Sequence, residues 1–181
     1  MTTIQDRNGT SYIFRILAKT DTELLTDYFL GLSAETRSKY APHPFTSDHA
    51  EKLCNVAEDT ADRYIVLTQE PDAIIGYFIV EYGDGLDEAK RYREQGIDLV
   101  SSLDPLFAPS MADAYQNRGL ASLVMPLIVG AVKDRGARSL VLMGGTRETN
   151  SRAIAFYEKS GFERHGGFQT RIYNHDMRLV F

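Results

Sequence analysis

Two periods alternate along this chain of 181 residues. From Leu120 the apolar residues recur at Leu120, Leu123, Val124, Leu127, Ile128, Ala131 and Val132. Steps of three and four stack them into one stripe, which predicts a helix of about four to five turns. Gly136 then stands where a left-handed residue commonly stops a helix. Ser139 to Met143 is apolar almost throughout, the pattern of a strand buried on both faces. Arg63 to Thr68 and Ile74 to Tyr82 are rich in β-branched and aromatic residues around a turn at Pro71–Asp72, and predict an antiparallel hairpin. Further strands are expected over Ser11–Ala18, Leu106–Met111, Phe162–Phe168 and Arg171–Phe181. Helices are expected over Thr22–Leu32, capped by Thr20 or Asp21, over Ala34–Tyr40 and over Ser47–Asp59, capped by Ser47. Two more are expected over Asp87–Gln95 and from Asn150, as cap, to Ser160, with Gly161 as the stop. Strands, then strand–helix–strand–helix, then strands make a mixed α/β sheet flanked by helices. No repeat or linker divides it, so one domain over residues 1–181 is expected.

Three places depart from these patterns. Pro109 interrupts Leu106–Met111 and cannot donate to a ladder, which points to a bulge or a splayed edge. Pro126 lies inside the long helix, where a missing donor costs about 3 kcal/mol and bends the axis. It is two turns past the helix start and leaves that start intact. Gly85–Ser102 is longer than a plain hairpin connection, and fits a lid, a subunit contact or a solvated excursion.

Composition narrows the class. A chain of this length, 43% hydrophobic and 25% charged, can bury a core without disulfides. The single cysteine, Cys54, has no internal partner, and a reducing cytoplasm fits. Met1 to Tyr12 contains no apolar run of the signal-peptide kind, and no stretch nears the roughly 20 apolar residues of a membrane span. The net charge of −5 argues against a nucleic-acid binder and is compatible with a cationic substrate. His43, His49, His165 and His175 show no metal-ligand spacing, so no metal is expected.

Two stretches carry chemistry. Gln116-Asn117-Arg118-Gly119-Leu120-Ala121 leads into the long helix. A helix N-terminus holds unpaired N–H donors and partial positive charge, and therefore attracts anions such as phosphates. Gly119 and Ala121 leave the main chain approachable, and Arg118 adds a full charge. An ordinary loop before a core helix is the alternative. In the second stretch, Asn150 to Phe162, Tyr157 follows the cap by two turns on the face of Ala153 and Ile154. There it is either a core tyrosine or a group aimed at a site.

Together the two stretches resemble the GNAT superfamily of N-acetyltransferases. Gln116 to Ala121 is similar to that family's Q/R-x-x-G-x-G/A loop. Asn150, Ala153, Tyr157, Gly161 and Phe162 are similar to its N-x-x-A-x-x-x-Y-x-x-x-G-F segment. The resemblance implies a GNAT-like, mostly antiparallel fold and acetyl-CoA as cosubstrate. It further implies that N–H groups from Arg118 to Ser122 hold the CoA pyrophosphate, within a loop of Gln116, Asn117, Arg118, Gly119, Leu120, Ala121 and Ser122. Main-chain groups at Met111, Ala112 and Asp113 would run beside the pantetheine, Asn150 would contact the cofactor, and Pro109 would belong to the bulge that parts this strand from the next.

The implied reaction is direct transfer in a ternary complex, in which a neutral amine attacks the thioester. Tyr157 would protonate the departing thiolate, and Glu81 is the candidate base, with a solvent-facing strand carboxylate as its alternative. The expected acceptor is a primary amine on a small molecule or protein, and the expected assembly a monomer or homodimer. A noncatalytic acyl-CoA-binding module on the same fold is the main rival. An ATP-binding domain is a weaker one, because the loop lacks the lysine of G-x-x-x-x-G-K-[ST].

Overall fold

The computed structural model describes residues 1–40, 42–55, 60–83 and 85–181. In chain order the elements are β1 (Thr2–Gln5), β2 (Ser11–Ile16), α1 (Thr22–Gly31), α2 (Ala34–Lys39), α3 (Ser47–Asn55), β3 (Ala61–Leu67), β4 (Ile74–Glu81) and α4 (Leu86–Arg93). They continue with β5 (Leu106–Met111), α5 (Leu120–Asp134), β6 (Ser139–Leu142), β7 (Thr146–Arg147), α6 (Ser151–Lys159), β8 (Glu163–Gln169) and β9 (Tyr173–Val180). Nine strands form one sheet in the order β1-β2-β3-β4-β5-β6-β9-β7, with β8 on β9. The β5–β6 pair is parallel, whereas β1–β2, β2–β3, β6–β9, β7–β9 and β8–β9 are antiparallel. This is the mixed α/β sheet that the hydrophobic pattern predicts, with the mostly antiparallel pairing that the family resemblance implies. The described residues divide into two compact units.

The first unit comprises Met1–Ile79 and Pro109–Val124. Its first strand is one the pattern does not predict, because Ile4 is the only buried residue of β1. The β1–β2 turn is closed by Asp6, whose Oδ1 accepts the N–H groups of Asn8 at 2.9 Å and Thr10 at 3.0 Å. Asp21 precedes α1 as expected but does not cap it. Its carboxylate is taken by Arg15 at 2.6 and 2.7 Å and by the Ala18 N–H at 2.7 Å, a stronger demand than a cap. Thr46 rather than Ser47 serves α3, accepting the His49 N–H at 3.2 Å, which starts the helix one residue earlier than a Ser47 cap implies. The expected extension of that helix over 56–59 lies outside the described residues. Inside the unit, Leu25, Tyr28 and Phe29 of α1 are buried, and the Tyr28 hydroxyl shares a 2.7 Å hydrogen bond with the Ser110 hydroxyl of β5.

The second unit comprises Val80–Ala108 and Met125–Phe181. Here β5 and β6 pair at Leu106↔Val141 and Phe107↔Leu142, and the Met143 N–H donates to the Phe107 carbonyl at 2.9 Å. The segment after β4 is anchored rather than a bare excursion. Tyr92 of α4 is fully buried with Leu106 and Val141, Arg91 binds Asp176 at 2.9 Å, and Glu88 accepts the Gly144 N–H at 2.7 Å. Helix α5 runs through Pro126 without a break. It stops where predicted, with Gly136 at φ 84° and the Ala137 N–H returning to the Val132 carbonyl at 3.1 Å. The two-residue strand β7 is too short to leave a periodic signal.

Asp104 is the electrostatic centre of the second unit. It is 2% exposed and accepts from Arg138 at 2.7 Å, Arg178 at 2.9 Å, the Ser139 hydroxyl at 2.5 Å and the Val100 N–H at 2.9 Å. Burial alone would raise its pKa. The hydrogen bonds from Arg138, Ser139, Val100 and Arg178 outweigh that and hold it at about 2, below the ordinary 3.8. Because the folded value is the lower one, this stabilisation is complete above about pH 4 and is lost as pH falls through about 2. Asp104→Asn should destabilise the fold by about 3 kcal/mol at pH 7, since it leaves the largely buried Arg178 guanidinium without its counter-ion. Thermal unfolding from pH 7 to pH 2 should show the gap to wild type closing at the acid end.

Candidate active site

The end of β5 is shaped by close main-chain approach. A Cβ on Gly76 of β4 would lie 2.8 Å from the Met111 sulfur, so the glycine leaves room for that side chain against the strand. The Ala112 N–H donates to the Ile75 carbonyl at 2.8 Å, which keeps the chain beside β4 until it turns. A short 3₁₀ turn over Asp113–Tyr115 follows. The Tyr115 N–H returns to the Ala112 carbonyl at 2.8 Å, and the side chain of Gln116 donates to the Met111 carbonyl at 3.1 Å.

The chain then enters α5 through a loop that leaves its donors open. Asn117 has φ 62° and Gly119 φ 79°, two left-handed residues within three positions. Among the described residues, the N–H groups of Arg118, Gly119, Leu120 and Ala121 donate to no protein acceptor. The Ser122 N–H is different: it closes onto the Gly119 carbonyl at 3.1 Å as the first bond of the helix. A Cβ on Gly119 would meet nothing within 4 Å, so the approach to the main chain is clear. The Arg118 guanidinium sits over the Tyr115 ring at 4.7 Å from its centroid, and that ring meets Tyr12 edge-on at 6.5 Å. Free amides, the positive end of a helix and a fixed cation together fit a pyrophosphate.

Asp113 is fully committed elsewhere. Its carboxylate accepts the Ser33 N–H at 2.9 Å, the Ser33 hydroxyl at 2.7 Å and the Thr36 hydroxyl at 2.7 Å. Burial would raise its pKa, but these bonds from Ser33 and Thr36 carry it below the ordinary range. It is an anion that organises its surroundings, and a poor base. Ser33 and Thr36 have no part in the sequence prediction of the site. Their only signal is a serine ahead of a short helix, and the partner lies eighty residues away.

In the second unit, Asn150 caps α6 as predicted, its Oδ1 accepting the Ala153 N–H at 3.4 Å. Tyr157 is 8% exposed, packed between Phe156 and Phe162 with ring centroids 5.2 and 5.5 Å away. Burial raises the pKa of its phenol well above the ordinary value, so it stands protonated at neutral pH. Its hydroxyl donates to no described residue. Glu81, at the end of β4, is half-buried, and one of its oxygens accepts the Gly83 N–H at 2.7 Å. The other oxygen has no hydrogen bond among the described residues.

A model of the acetyltransferase (GNAT) family matches residues 26–162, a span that holds the Gln116–Ala121 loop, Asn150 and Tyr157. The chain belongs to the GNAT family. It is therefore an acyltransferase, and acetyl-CoA is the cosubstrate of its family. Solved GNAT structures share the fold at low identity. The GNAT domain of S. lividans PAT is 15% identical with a TM-score of 0.77, over 99% of this chain and 96% of that one. The ribosomal-protein-S5-alanine acetyltransferase of Vibrio fischeri is 14% identical with a TM-score of 0.71, over 99% and 97%. The aminoglycoside acetyltransferase AAC(6')-Ib, solved with coenzyme A and kanamycin, is 20% identical with a TM-score of 0.66, over 93% and 94%. No curated protein matches the sequence significantly. Among the described residues no helix is long and apolar enough to cross a membrane.

The loop geometry yields a direct test. Gly119→Glu should abolish acetyl-CoA binding, measured by calorimetry, because it sets bulk and negative charge against the open amides. A left-handed non-glycine residue costs about 1–2 kcal/mol, so the variant should remain folded by circular dichroism. Undiminished affinity would remove the loop from the cofactor site.

Proposed function

We propose that this GNAT-family chain, acting as one domain over residues 1–181, transfers an acetyl group from acetyl-CoA to a primary amine of a small molecule or protein. Transfer is direct, within a ternary complex. The observation that carries this reading is the run of free amides from Arg118 to Ala121 at the head of α5. GNAT proteins solved with related folds bear names that specify amine acceptors, including aminoglycosides, a ribosomal-protein alanine and spermidine.

When bound, acetyl-CoA supplies the thioester whose carbonyl carbon the amine attacks. The amides of Arg118, Gly119, Leu120 and Ala121, with the Arg118 charge, hold the pyrophosphate, and Asn117 gives the loop its left-handed entry. The Ser122 amide is occupied by Gly119, so Ser122 contributes through its hydroxyl. Main-chain groups at Met111, Ala112 and Asp113 border the pantetheine arm. Of these, the Ala112 N–H and the Met111 carbonyl already have partners in the protein, which leaves the Met111 N–H as the strand donor. Asn150 contacts the cofactor through its side-chain amide. Glu81 takes the proton that the amine sheds, directly or through a water, using the oxygen not engaged by Gly83. Tyr157 gives the leaving thiolate its proton, a role that suits a phenol kept neutral by burial.

Thermal unfolding with acetyl-CoA, CoA and ATP tests the cofactor assignment first. A ligand at about 100 times its dissociation constant adds about 2.7 kcal/mol. Both CoA species should raise the midpoint and ATP should not. CoA release should then be followed with spermidine, kanamycin and a peptide bearing a free N-terminus. Turnover with any of them separates an enzyme from a noncatalytic binding module; a protein that binds acetyl-CoA but releases no CoA with any amine is the latter.

Two substitutions divide the roles. Tyr157→Phe should lower kcat by about 10²-fold or more while the acetyl-CoA dissociation constant barely moves. Glu81→Gln should depress the rate chiefly at pH values where the amine is protonated. An unchanged pH–rate profile in that variant would exclude Glu81 as the base.

A further inference from the structure

One network in the first unit joins the end of β5 to α2, a helix that carries no cofactor motif. Ser33 precedes α2 and Thr36 lies in its first turn. Both grip Asp113: the Ser33 N–H at 2.9 Å, the Ser33 hydroxyl at 2.7 Å and the Thr36 hydroxyl at 2.7 Å. Thr36 is also an acceptor, taking a hydrogen bond from the Gln116 side-chain amide at 3.2 Å. The same amide nitrogen donates to the Met111 carbonyl at 3.1 Å. The chain of contacts therefore runs Ser33 and Thr36, Asp113, Thr36 again, Gln116, and ends on the main chain of Met111.

The position of that last contact gives the network its meaning. In a strand, successive residues direct their N–H and carbonyl groups to alternate sides. Ala112 uses the β4 side, through its N–H to Ile75. Met111 thus turns its main-chain groups to the other side, away from β4, where a cofactor arm would run beside the strand. Gln116 fixes the carbonyl of that residue, and together with the Ala112 N–H on Ile75 this pins the peptide that directly follows the Met111 N–H. The first residue of the Gln116–Ala121 motif is then a strut, and α2 is what it is braced against.

We propose that Thr36, Asp113 and Gln116 form a positioning clamp that holds the Met111 main chain in the conformation that receives the pantetheine arm. Acetyl-CoA affinity then depends on the N-terminal turn of α2. This rests on the acetyl-CoA site proposed above. None of the three side chains takes part in bond making; they act through the strand. Asp113 keeps its negative charge throughout, so it accepts from Ser33 and Thr36 and moves no proton.

The test compares Thr36→Val, which keeps the shape and deletes the hydroxyl, with Thr36→Ser, which restores it. Gln116→Glu, nearly isosteric but unable to donate to Met111, is an independent probe at the other end. Acetyl-CoA dissociation constants are measured by calorimetry, with thermal midpoints, kcat and KM on the same preparations. Thr36→Val and Gln116→Glu should each weaken acetyl-CoA binding about tenfold, the scale of one hydrogen bond to a polar partner. KM for acetyl-CoA should rise with it while kcat holds, as loss of uniform binding requires. Thr36→Ser should bind as wild type does. A purely structural network would lower the midpoint of Thr36→Val and leave affinity unchanged, and that result overturns the clamp. Equal loss in Thr36→Ser and Thr36→Val overturns it too. Failure of the wild-type chain to bind acetyl-CoA is a separate outcome, which removes the cofactor site and the clamp together.

Discussion

A backbone N–H taken from water needs an acceptor, and the stretch from Phe107 to Ala121 is where this chain changes how it meets that need. The Phe107 carbonyl takes the Met143 N–H, a hydrogen bond at the end of the β5–β6 register. Two residues later stands Pro109, which has no N–H to offer. The Ala112 N–H turns to Ile75 of β4, the Tyr115 N–H to its own turn, and from Arg118 to Ala121 the amides have no acceptor among the described residues. Then α5 begins and the account closes again with Ser122. A strand ladder becomes a helix over about a dozen residues, and the donors left between the two are what an anion can use.

Much of this was legible in the sequence because it depends on periodicity and on special residue types. The 3–4 spacing from Leu120 locates α5 to within a residue at either end, and Gly136 and Asn150 act as the stop and the cap that their chemistry suggests. The Leu106–Met111 strand appears with the predicted bounds. What stayed hidden has a physical reason in each case. β1 buries a single residue, so its alternation is too weak to read. Asp21 looks like a cap because caps are local, yet its partner is Arg15, and a bidentate ion pair wins over one N–H. Asp113 shows the same limit over a longer span: nothing near it in the chain announces Ser33 and Thr36. The glycine-bearing entry to α5 at Gln116–Ala121 was readable, but the bonds of the Gln116 side chain to Thr36 and Met111 were not, since they are set by tertiary contact.

The inserted segment around α4 carries a related lesson. Polar and rich in charge, its sequence suits a solvated helix. The buried ring of Tyr92, the Arg91–Asp176 pair and the contact of Glu88 with the Gly144 N–H make it part of the second unit instead. Charged residues are poor witnesses to exposure when each has a partner waiting. Asp104, with two guanidinium groups and a hydroxyl around it, is the extreme case.

A ligand cradle made of main-chain amides places few demands on side-chain identity. Every residue but proline supplies the same donor, so Leu120, Ala121 or Arg118 can be exchanged without altering what the amides present. Only the left-handed positions, Asn117 and Gly119, are narrowly constrained. A loop of this kind can drift far in sequence and keep the same backbone donors. The chain is 14–20% identical to three solved acetyltransferases and shares their fold with TM-scores of 0.66 to 0.77. In such a loop the conformation of two residues sets where the donors point, and the remaining side chains are free to serve other contacts.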